Sequence, residues 1–499
     1  MWIHSDNLNN CFVGFDAGRV NNSIQNTFIG SYVGYSNTTG NVNTAIGQNA
    51  FYYNTTGGLN TAAGSSALTN NTTGSNNTAI GWGALALNVA GSNATAVGVN
   101  AMLNSYNGAS PFTNYNTAVG FEALKGASPA NLNNGNTAIG YQSLSSVTTG
   151  SNNTASGNHA LYSNSTGSYN VASGYQSLHL NAGGSYNTAT GYQALLNNIN
   201  GSNNTAFGAF TLGYNTGNYN TATGYSALLN NSSGSYNTGY GYQALYLNTT
   251  GTYNTAAGHG ALYNNSSSYN SSLGYEALFN NTSGTSNAAL GYEADYYNFT
   301  GSNSTALGEG AGCNNGTNPS NFTAVGSNSG HVGSGSNTVE IGNTSVGWIG
   351  GQVGWSTYSD ARIKDHVKSN VPGLSFINKL HPVTYRLNIH RENEMCGIPD
   401  TAQWEGKYDI EKITQTGFIA QEVEKAAKDC GFDFSGVKAP SGNAKLYSVE
   451  YASFVVPLVK AVQELNLKMS ELENVKQENA ELKNQIAQLM QRVDGLEKK

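Results

Sequence analysis

The chain repeats one short pattern of small apolar and polar residues from residue 14 to residue 343. Each unit contains Asn-Thr-Ala-x-Gly or a close variant, and its glycine recurs every 17 residues, with slips of one residue and two longer gaps. Repeats of fixed length in this range are typical of stacked arrays, in which each unit buries its apolar face against its neighbours. The pattern predicts a mainly β fold, a solenoid fibre of about twenty rungs.

Within one unit, the alternation of small apolar and polar residues predicts a short strand, and a turn follows it. Ala189 and Gly191 share one strand face, which suits only the close approach of another backbone. A leucine four residues after the glycine, replaced by Met102 in one unit, forms a column that we expect to be the core. Asn-x-Thr-Gly-Ser then predicts the turn. Asparagines in register are expected to form hydrogen-bonded ladders. Nineteen intervals of ~4.8 Å give a rod of about 90 Å.

A coil this thin buries little apolar area, so we expect three chains to associate. The sequence Asn-Thr-Ala-Ile-Gly-x-x-Ala at residues 43–50, with a near copy at residues 136–143, resembles the head repeats of trimeric autotransporter adhesins. That resemblance implies a left-handed parallel β-roll. An interwound triple β-helix is the alternative architecture.

The charge distribution argues against a nucleic-acid partner. Arg19 and Lys125 are the only basic residues before Ser359, against eight acidic ones, so residues 1–358 carry 2 − 8 = −6 and residues 359–499 carry 19 − 20 = −1. Neither part has the basic patch that phosphate backbones require.

Targeting and metal-binding signals are missing from the sequence. The first residues lack the basic and apolar regions of a signal peptide, and no apolar run approaches the roughly 18 residues of a membrane span. We therefore expect no membrane insertion. Four scattered cysteines without ligand spacing are typical of a reducing cytoplasm, and we expect no metal site and no cofactor.

Residues 458–499 carry apolar side chains at alternating spacings of four and three, with one three-residue slip. This pattern predicts a trimeric coiled coil, locally overwound at the slip, in which Asn479 would fix the register and the number of helices. The alternative is an amphipathic helix that packs on its own domain. The predicted trimer seam consists of Leu465, Met469, Leu472, Asn479, Leu482, Ile486, Leu489 and Val493.

Four motifs occur in one order in the last part of the chain. They are Ser-Asp-x-Arg-x-Lys at 359–364, Leu-His-Pro-Val-Thr-Tyr at 380–385, Gly-Phe-Ile-Ala-Gln-Glu-Val at 417–423 and Tyr-Ser-Val-Glu-Tyr at 447–451. Together they closely resemble the intramolecular chaperone, or auto-processing domain, at the C-termini of endosialidase-type phage tailspikes and tail fibres. A related domain occurs in myelin regulatory factor. The resemblance covers residues 359–499.

The resemblance implies that this domain trimerises, templates the folding of the preceding fibre and is released by self-cleavage. The implied scissile bond joins Tyr358 to Ser359, with Ser359 as nucleophile, Lys364 as base, and Asp360 and Arg362 in support. A serine hydroxyl needs a neighbouring base, and a neutral lysine can serve. In the alternative interpretation, Ser359 and Asp360 form a helix N-cap and Lys364 is solvated. Residues five apart do not share a helix face, so we expect Ser359 to precede the helix.

These observations divide the chain into five parts. Residues 1–13 are an N-terminal attachment segment, residues 14–343 the β-solenoid and residues 344–358 a junction. Residues 359–457 form the α+β chaperone domain, and residues 458–499 form the coiled coil.

Receptor binding is expected in two inserted loops, where the repeat lengthens by five and three residues. The loops cover residues 104–114 and 125–134, and insertions into a regular array are typical interaction sites. Tyr106, Phe112 and Lys125 are the candidate contacts with a host surface glycan or protein receptor. A column of tyrosines five residues before the glycine is either a sugar-stacking surface or, as we prefer, a structural ladder.

The sequence predicts a homotrimeric tail fibre or receptor-binding fibre of a phage or phage-like injection machine. A tail or baseplate protein would hold the N-terminus of the fibre. The fibre would be made in a bacterial cytoplasm and would mature in a virion tail or extracellular particle. The enzyme activity expected is a single-turnover serine self-cleavage. The alternatives are a trimeric bacterial surface adhesin and a polysaccharide-degrading tailspike. The latter would need paired carboxylates, for which Glu276, Glu293 and Asp295 are the weak candidates.

Overall fold

A computed structural model describes residues 3–5, 8–105, 107–126, 134–312, 318–330, 335–347, 349–352, 354–396, 406–440 and 446–497. The chain divides into two compact units. The first comprises Met1–Gly330 and Ser336–Ile341, and the second His331–Gly335 and Gly342–Lys499.

The first unit is built from very short strands, most of them three residues long. They are Ile3–Ser5 (β1), Cys11–Val13 (β2), Thr27–Ile29 (β3), Thr44–Ile46 (β4), Thr61–Ala63 (β5), Thr78–Ile80 (β6), Gly91–Ser92 (β7), Thr95–Val97 (β8), Phe112–Thr113 (β9), Thr117–Val119 (β10), Thr137–Ile139 (β11), Thr154–Ser156 (β12), Val171–Ser173 (β13), Thr188–Thr190 (β14), Thr205–Phe207 (β15), Thr221–Thr223 (β16), Thr238–Tyr240 (β17), Thr255–Ala257 (β18), Ser271–Leu273 (β19), Ala288–Leu290 (β20), Thr305–Leu307 (β21), Phe322–Val325 (β22) and Thr338–Ile341 (β23).

Twenty-one of these strands form one sheet in which each repeat pairs with the next. The pairing is parallel and in register, so that Ala189 of β14 lies opposite Ala172 of β13 and Ala206 of β15. The predicted solenoid is thus confirmed. Because neighbouring rungs come from the same chain, the structure favours the β-roll over an interwound triple helix. At the start, β1 pairs antiparallel with β2, so part of the predicted attachment segment joins this sheet.

The alanine and glycine of each repeat explain how closely the rungs stack. Ala189 is fully buried, and Gly191 has a φ of 134°, in the region that favours glycine. A Cβ built on Gly191 would lie 2.4 Å from the carbonyl oxygen of Gly208 on the next rung. Any side chain at this position would push two backbones apart.

The leucine column is buried as predicted, but it lies in the turn that follows the strand. Leu195 is fully buried with a φ of 52°, and Gln193 has a φ of 53°, both unusual for residues with side chains. Hydrogen bonds between rungs hold this backbone: Leu195 N donates to Thr211 O, and Gln193 N donates to Tyr175 O. The turn therefore continues the ladder of backbone hydrogen bonds instead of interrupting it.

Two columns of buried asparagines form the predicted ladders. In the first column, Oδ1 of Asn187 accepts from the backbone N–H of Asn204 at 3.0 Å, and its Nδ2 donates to Gly201 O at 2.8 Å. In the second, Nδ2 of Asn198 donates to Oδ1 of Asn181 at 3.1 Å and to Gly201 O at 2.7 Å. These amides satisfy turn groups that would otherwise be buried without partners.

The last rung of the solenoid differs from the others. In β23, Glu340 lies opposite Ala324, at the position where the rungs immediately before it have a buried alanine. Burial raises the pKa of the Glu340 carboxyl to about 7. A hydrogen bond from the Gly330 backbone acts in the opposite direction but has the smaller effect. The solenoid thus ends on an ionisable group.

The second unit combines helices with two small antiparallel sheets. Its helices are Leu374–Ile377 (α1), Ile389–Cys396 (α2), Ala420–Lys428 (α3) and Val455–Glu497 (α4), with 3₁₀ turns at Ala361–Ile363, Asp409–Lys412 and Tyr451–Phe454. Val383–Tyr385 (β24) pairs with Gln415–Gly417 (β25), and Val437–Lys438 (β26) pairs with Ser448–Val449 (β27). Phe376, Val423, Phe434 and Phe454 form its apolar core.

Candidate functional site

The expected cleavage site lies on an extended, exposed segment that ends in a 3₁₀ turn. The side chain of Tyr358 is 96% exposed. Asp360 has an extended backbone, and its Oδ1 accepts from the N–H of Arg362 at 2.8 Å, which caps the turn Ala361–Ile363. Ser359 precedes this turn, as predicted, and the N-cap is Asp360 alone.

The turn brings the predicted nucleophile and base into contact. Nζ of Lys364 donates to Oγ of Ser359 at 2.6 Å. Lys364 follows the turn in an extended conformation, with φ −114° and ψ 116°, and its side chain reaches back across the turn. A serine hydroxyl within hydrogen-bonding distance of a lysine amine is an arrangement that general-base activation requires.

Asp360 and Arg362 form an ion pair beside the two residues. Nη2 of Arg362 lies 2.6 Å from Oδ2 of Asp360, and Nε of Arg362 donates to Oδ1 at 3.0 Å. The Arg362 side chain, together with its backbone N–H, lowers the pKa of the Asp360 carboxyl, and Asp360 raises the pKa of Arg362. The cation therefore interacts with Asp360 and stabilises the turn.

Large apolar side chains flank this segment without cover in the single chain. Trp355 is 93% exposed and Val367 is 80% exposed.

The predicted trimer seam lies on one uninterrupted helix, α4, of 43 residues. Every apolar member of the seam is about half exposed, from Leu465 at 50% to Leu489 at 57%. Nδ2 of Asn479 donates to the Val475 carbonyl of its own helix at 2.9 Å. Of the helices in the described residues, none is long and apolar enough to cross a membrane.

The receptor-binding candidates occupy different environments. Phe112 lies in β9, which pairs with β7 as a small second sheet beside the solenoid. Nζ of Lys125 lies 2.8 Å from Oε1 of Glu122, and Glu122 also accepts from Gln142. Lys125 lowers the pKa of Glu122 by this hydrogen bond. Tyr106 and residues 127–133 of the second loop lie outside the described residues.

The predicted tyrosine column stacks from rung to rung with its rings half exposed. Tyr219, Tyr236, Tyr253 and Tyr269 lie in near-parallel pairs whose centroids are 4.9 to 5.3 Å apart. The cross-rung aromatic ladder expected from the sequence is present.

The carboxylates considered for polysaccharide cleavage interact with tyrosine and asparagine side chains of the solenoid. Glu276 hydrogen-bonds Tyr275 and raises the pKa of that tyrosine. Glu293 hydrogen-bonds Tyr292 and raises the pKa of that tyrosine to about 12. Asp295 is 1% exposed and accepts from Asn298 at 2.9 Å. Within the described part of the chain, no group of three or more His, Cys, Asp or Glu side chains could hold a metal ion.

Comparison with known proteins finds a family similarity in part of the second unit. No curated protein matches the chain. Residues 359–432 match the family described as chaperone of endosialidase, whose name also marks it as a peptidase family and so suggests self-cleaving activity. The match begins at Ser359, the residue at which the sequence changes character, and with the β-solenoid it fits a phage tail fibre or tailspike. Residues 359–432 thus resemble the chaperone of endosialidase, and they follow a β-solenoid.

Proposed function

We propose that the protein is a homotrimeric receptor-binding tail fibre whose C-terminal chaperone trimerises and folds the β-solenoid and then cuts itself off. The observation that carries the proposal is the 2.6 Å contact between Ser359 and Lys364 at the first residues of the family match. A chance pair of surface residues would not be expected at that boundary.

In the proposed cleavage, neutral Lys364 accepts the proton of the Ser359 hydroxyl. Ser359 Oγ attacks the Tyr358 carbonyl carbon, and the peptide nitrogen of Ser359 leaves as an amine that takes up a proton. Water then hydrolyses the resulting ester, which frees the Tyr358 carboxylate and restores the Ser359 hydroxyl. The extended backbone and the exposed Tyr358 leave this peptide bond accessible.

Exposed apolar surfaces on both units support self-association. Besides the seam of α4, the residue before the repeat glycine is apolar and exposed on several rungs near both ends of the solenoid, as at Ile46, Ile139 and Leu290, each 45 or 46% exposed. Such rows are expected to be covered when three copies align.

The role in adhesion rests on what remains after release of the chaperone, which is a long, regular fibre. The proposed partners are a tail or baseplate protein at the N-terminal end and a host surface glycan or protein receptor. Tyr106, Phe112 and Lys125 stay candidate contacts for the receptor.

Assembly and adhesion are tested by comparing the full chain with a chain that lacks residues 458–499. We expect light scattering to give a soluble trimer for the full chain and aggregates for the truncated one, because long-range β pairing forms slowly without a template. The labelled full-length product should adsorb to some of a panel of bacteria. A soluble trimer from the truncated chain would exclude the chaperone role, and a folded trimer that adsorbs to no cell would exclude adhesion to those hosts.

A further inference from the structure

A groove of about 380 Å³ opens on the side of the solenoid between the rungs of Gly191 and Gly241. None of the side chains that line it lies in the inserted loops or in the tyrosine column that precedes the repeat glycine. It is formed by the residues that follow the glycine on four successive rungs.

Two small residues create the groove. Gly213 stands where the adjacent rungs carry Leu196 and Leu229, and it belongs to a unit of 16 residues. A Cβ on Gly213 would meet Cδ1 of Leu229 at 2.7 Å, the flexible end of a side chain that borders the groove. On the next rung, Ser226 takes the place that Gln193 and Gln243 occupy on theirs.

Aromatic rings form the walls. Phe210 stands edge-on to its neighbours, at 69° to Tyr192 and 80° to Tyr225, which breaks the parallel stacking seen on other rungs. Tyr225 and Tyr242 stack at 5.5 Å with half-exposed rings. The groove therefore presents ring faces and edges side by side.

Polar groups remain available between the rings. Nε2 of Gln193 donates to Gln176 at 2.7 Å, but Oε1 of Gln193 accepts no hydrogen bond from the described residues. In the same part of the chain, the Gln243 amide also has no side-chain hydrogen-bond partner, and Ser226 lies buried beneath the rings. The cause is the interruption of the glutamine column by Phe210 and Ser226, which removes the neighbours that these amides would have bonded.

None of the residues that line the groove is charged, and the solenoid as a whole is acidic. We propose that the groove binds a neutral glycan. The rings would pack against the C–H faces of sugar units, while the glutamine amides would bond to sugar hydroxyls. This proposal rests on the proposed adhesive function. It adds the class of ligand, a neutral glycan, and the location of its binding site.

The test uses the full chain on an array of neutral oligosaccharides that end in hexoses or N-acetylhexosamines, beside sialylated and sulfated ones. Ser226→Gln introduces the residue found at this position in Gln193 and Gln243 and narrows the groove, and Tyr225→Ala removes a wall. Ser66→Gln and Tyr141→Ala make the same changes in the same columns on distant rungs, with φ of Ser66 at 59° and of Ser226 at 54°. All four variants are first checked for trimer formation.

We expect binding to at least one neutral glycan, weakened about tenfold or more by each groove substitution and less than twofold by each control. Binding to no neutral glycan, binding only to anionic glycans, or equal losses in the control variants would overturn the proposal. If the fibre adsorbs to cells and the groove variants adsorb equally well, the groove proposal fails while the adhesive function stands. If the folded wild-type trimer adsorbs to no cell, the adhesive function itself fails.

Discussion

At the scale of single residues, the family resemblance named Ser359 and Lys364 as partners, and the structure places Nζ of Lys364 2.6 Å from Oγ of Ser359. The sequence predicted the contact between Ser359 and Lys364 and the position of Ser359 before the turn. The resemblance gave Arg362 a supporting role in cleavage, and the structure joins the Arg362 side chain to Asp360 by three hydrogen bonds. That pairing depends on side-chain rotamers, which motif spacing does not determine.

The turn predicts different effects for the two supporting residues. Asp360→Ala removes the cap of the 3₁₀ turn and should slow cleavage about fivefold, because Ser359 and Lys364 then meet less often. Asp360→Asn keeps a capping oxygen and should cleave at nearly the wild-type rate. Arg362→Ala should change the rate less than twofold, since exposed ion pairs contribute little.

The rates can be followed by gel electrophoresis of chains made in a cell-free system and sampled over time. A strong defect in Arg362→Ala together with normal cleavage in Asp360→Ala would mean that the guanidinium acts directly, and that the cap is unimportant.

At the scale of the repeat, the sequence predicted the period, the buried leucines and the asparagine ladders, because stacking reproduces each residue on every rung. It did not predict that Leu195 adopts a left-handed conformation, since such backbones are rare and here depend on hydrogen bonds from neighbouring rungs. The groove was missed for a related reason. Gly213 and Ser226 are visible in the sequence, but they matter only through the larger residues stacked above and below them.

The asparagine ladder should contribute strongly to stability. Asn187→Ala leaves the N–H of Asn204 and the carbonyl of Gly201 with fewer partners in a buried turn, and we expect a loss of about 2–4 kcal/mol in local unfolding free energy. Asn197→Ala, at a partly exposed position of the same rung, should cost far less.

Hydrogen exchange read by mass spectrometry would locate the change. Faster exchange should be confined to peptides near residues 170–220 in Asn187→Ala. Similar protection in the two variants would show that the buried amides are not what holds the rungs together. The chain itself offers a precedent at Ala94, which interrupts the column: on the following rung, Asn116 N instead bonds to Asn114 Oδ1.

At the scale of the whole molecule, Ser359 marks the boundary between the repetitive sequence of the solenoid and the non-repetitive sequence of the second unit. The solenoid pairs its strands with one another but leaves apolar side chains such as Ile46 and Leu290 exposed, and the second unit carries a long helix with an exposed apolar seam. Heptad spacing was enough to predict that helix because the period is local. The number of chains depends on contacts between copies, so the trimer stays a prediction.

The most direct test of the account is the intact mass of the full-length chain after expression and purification, compared with that of Ser359→Ala. We expect the wild-type chain to yield two products, one ending at Tyr358 and one beginning at Ser359. Ser359→Ala should give trimers of the uncut chain of 499 residues. A wild-type trimer that stays uncut, or a Ser359→Ala chain that is cut at the same bond, would contradict the self-cleaving chaperone.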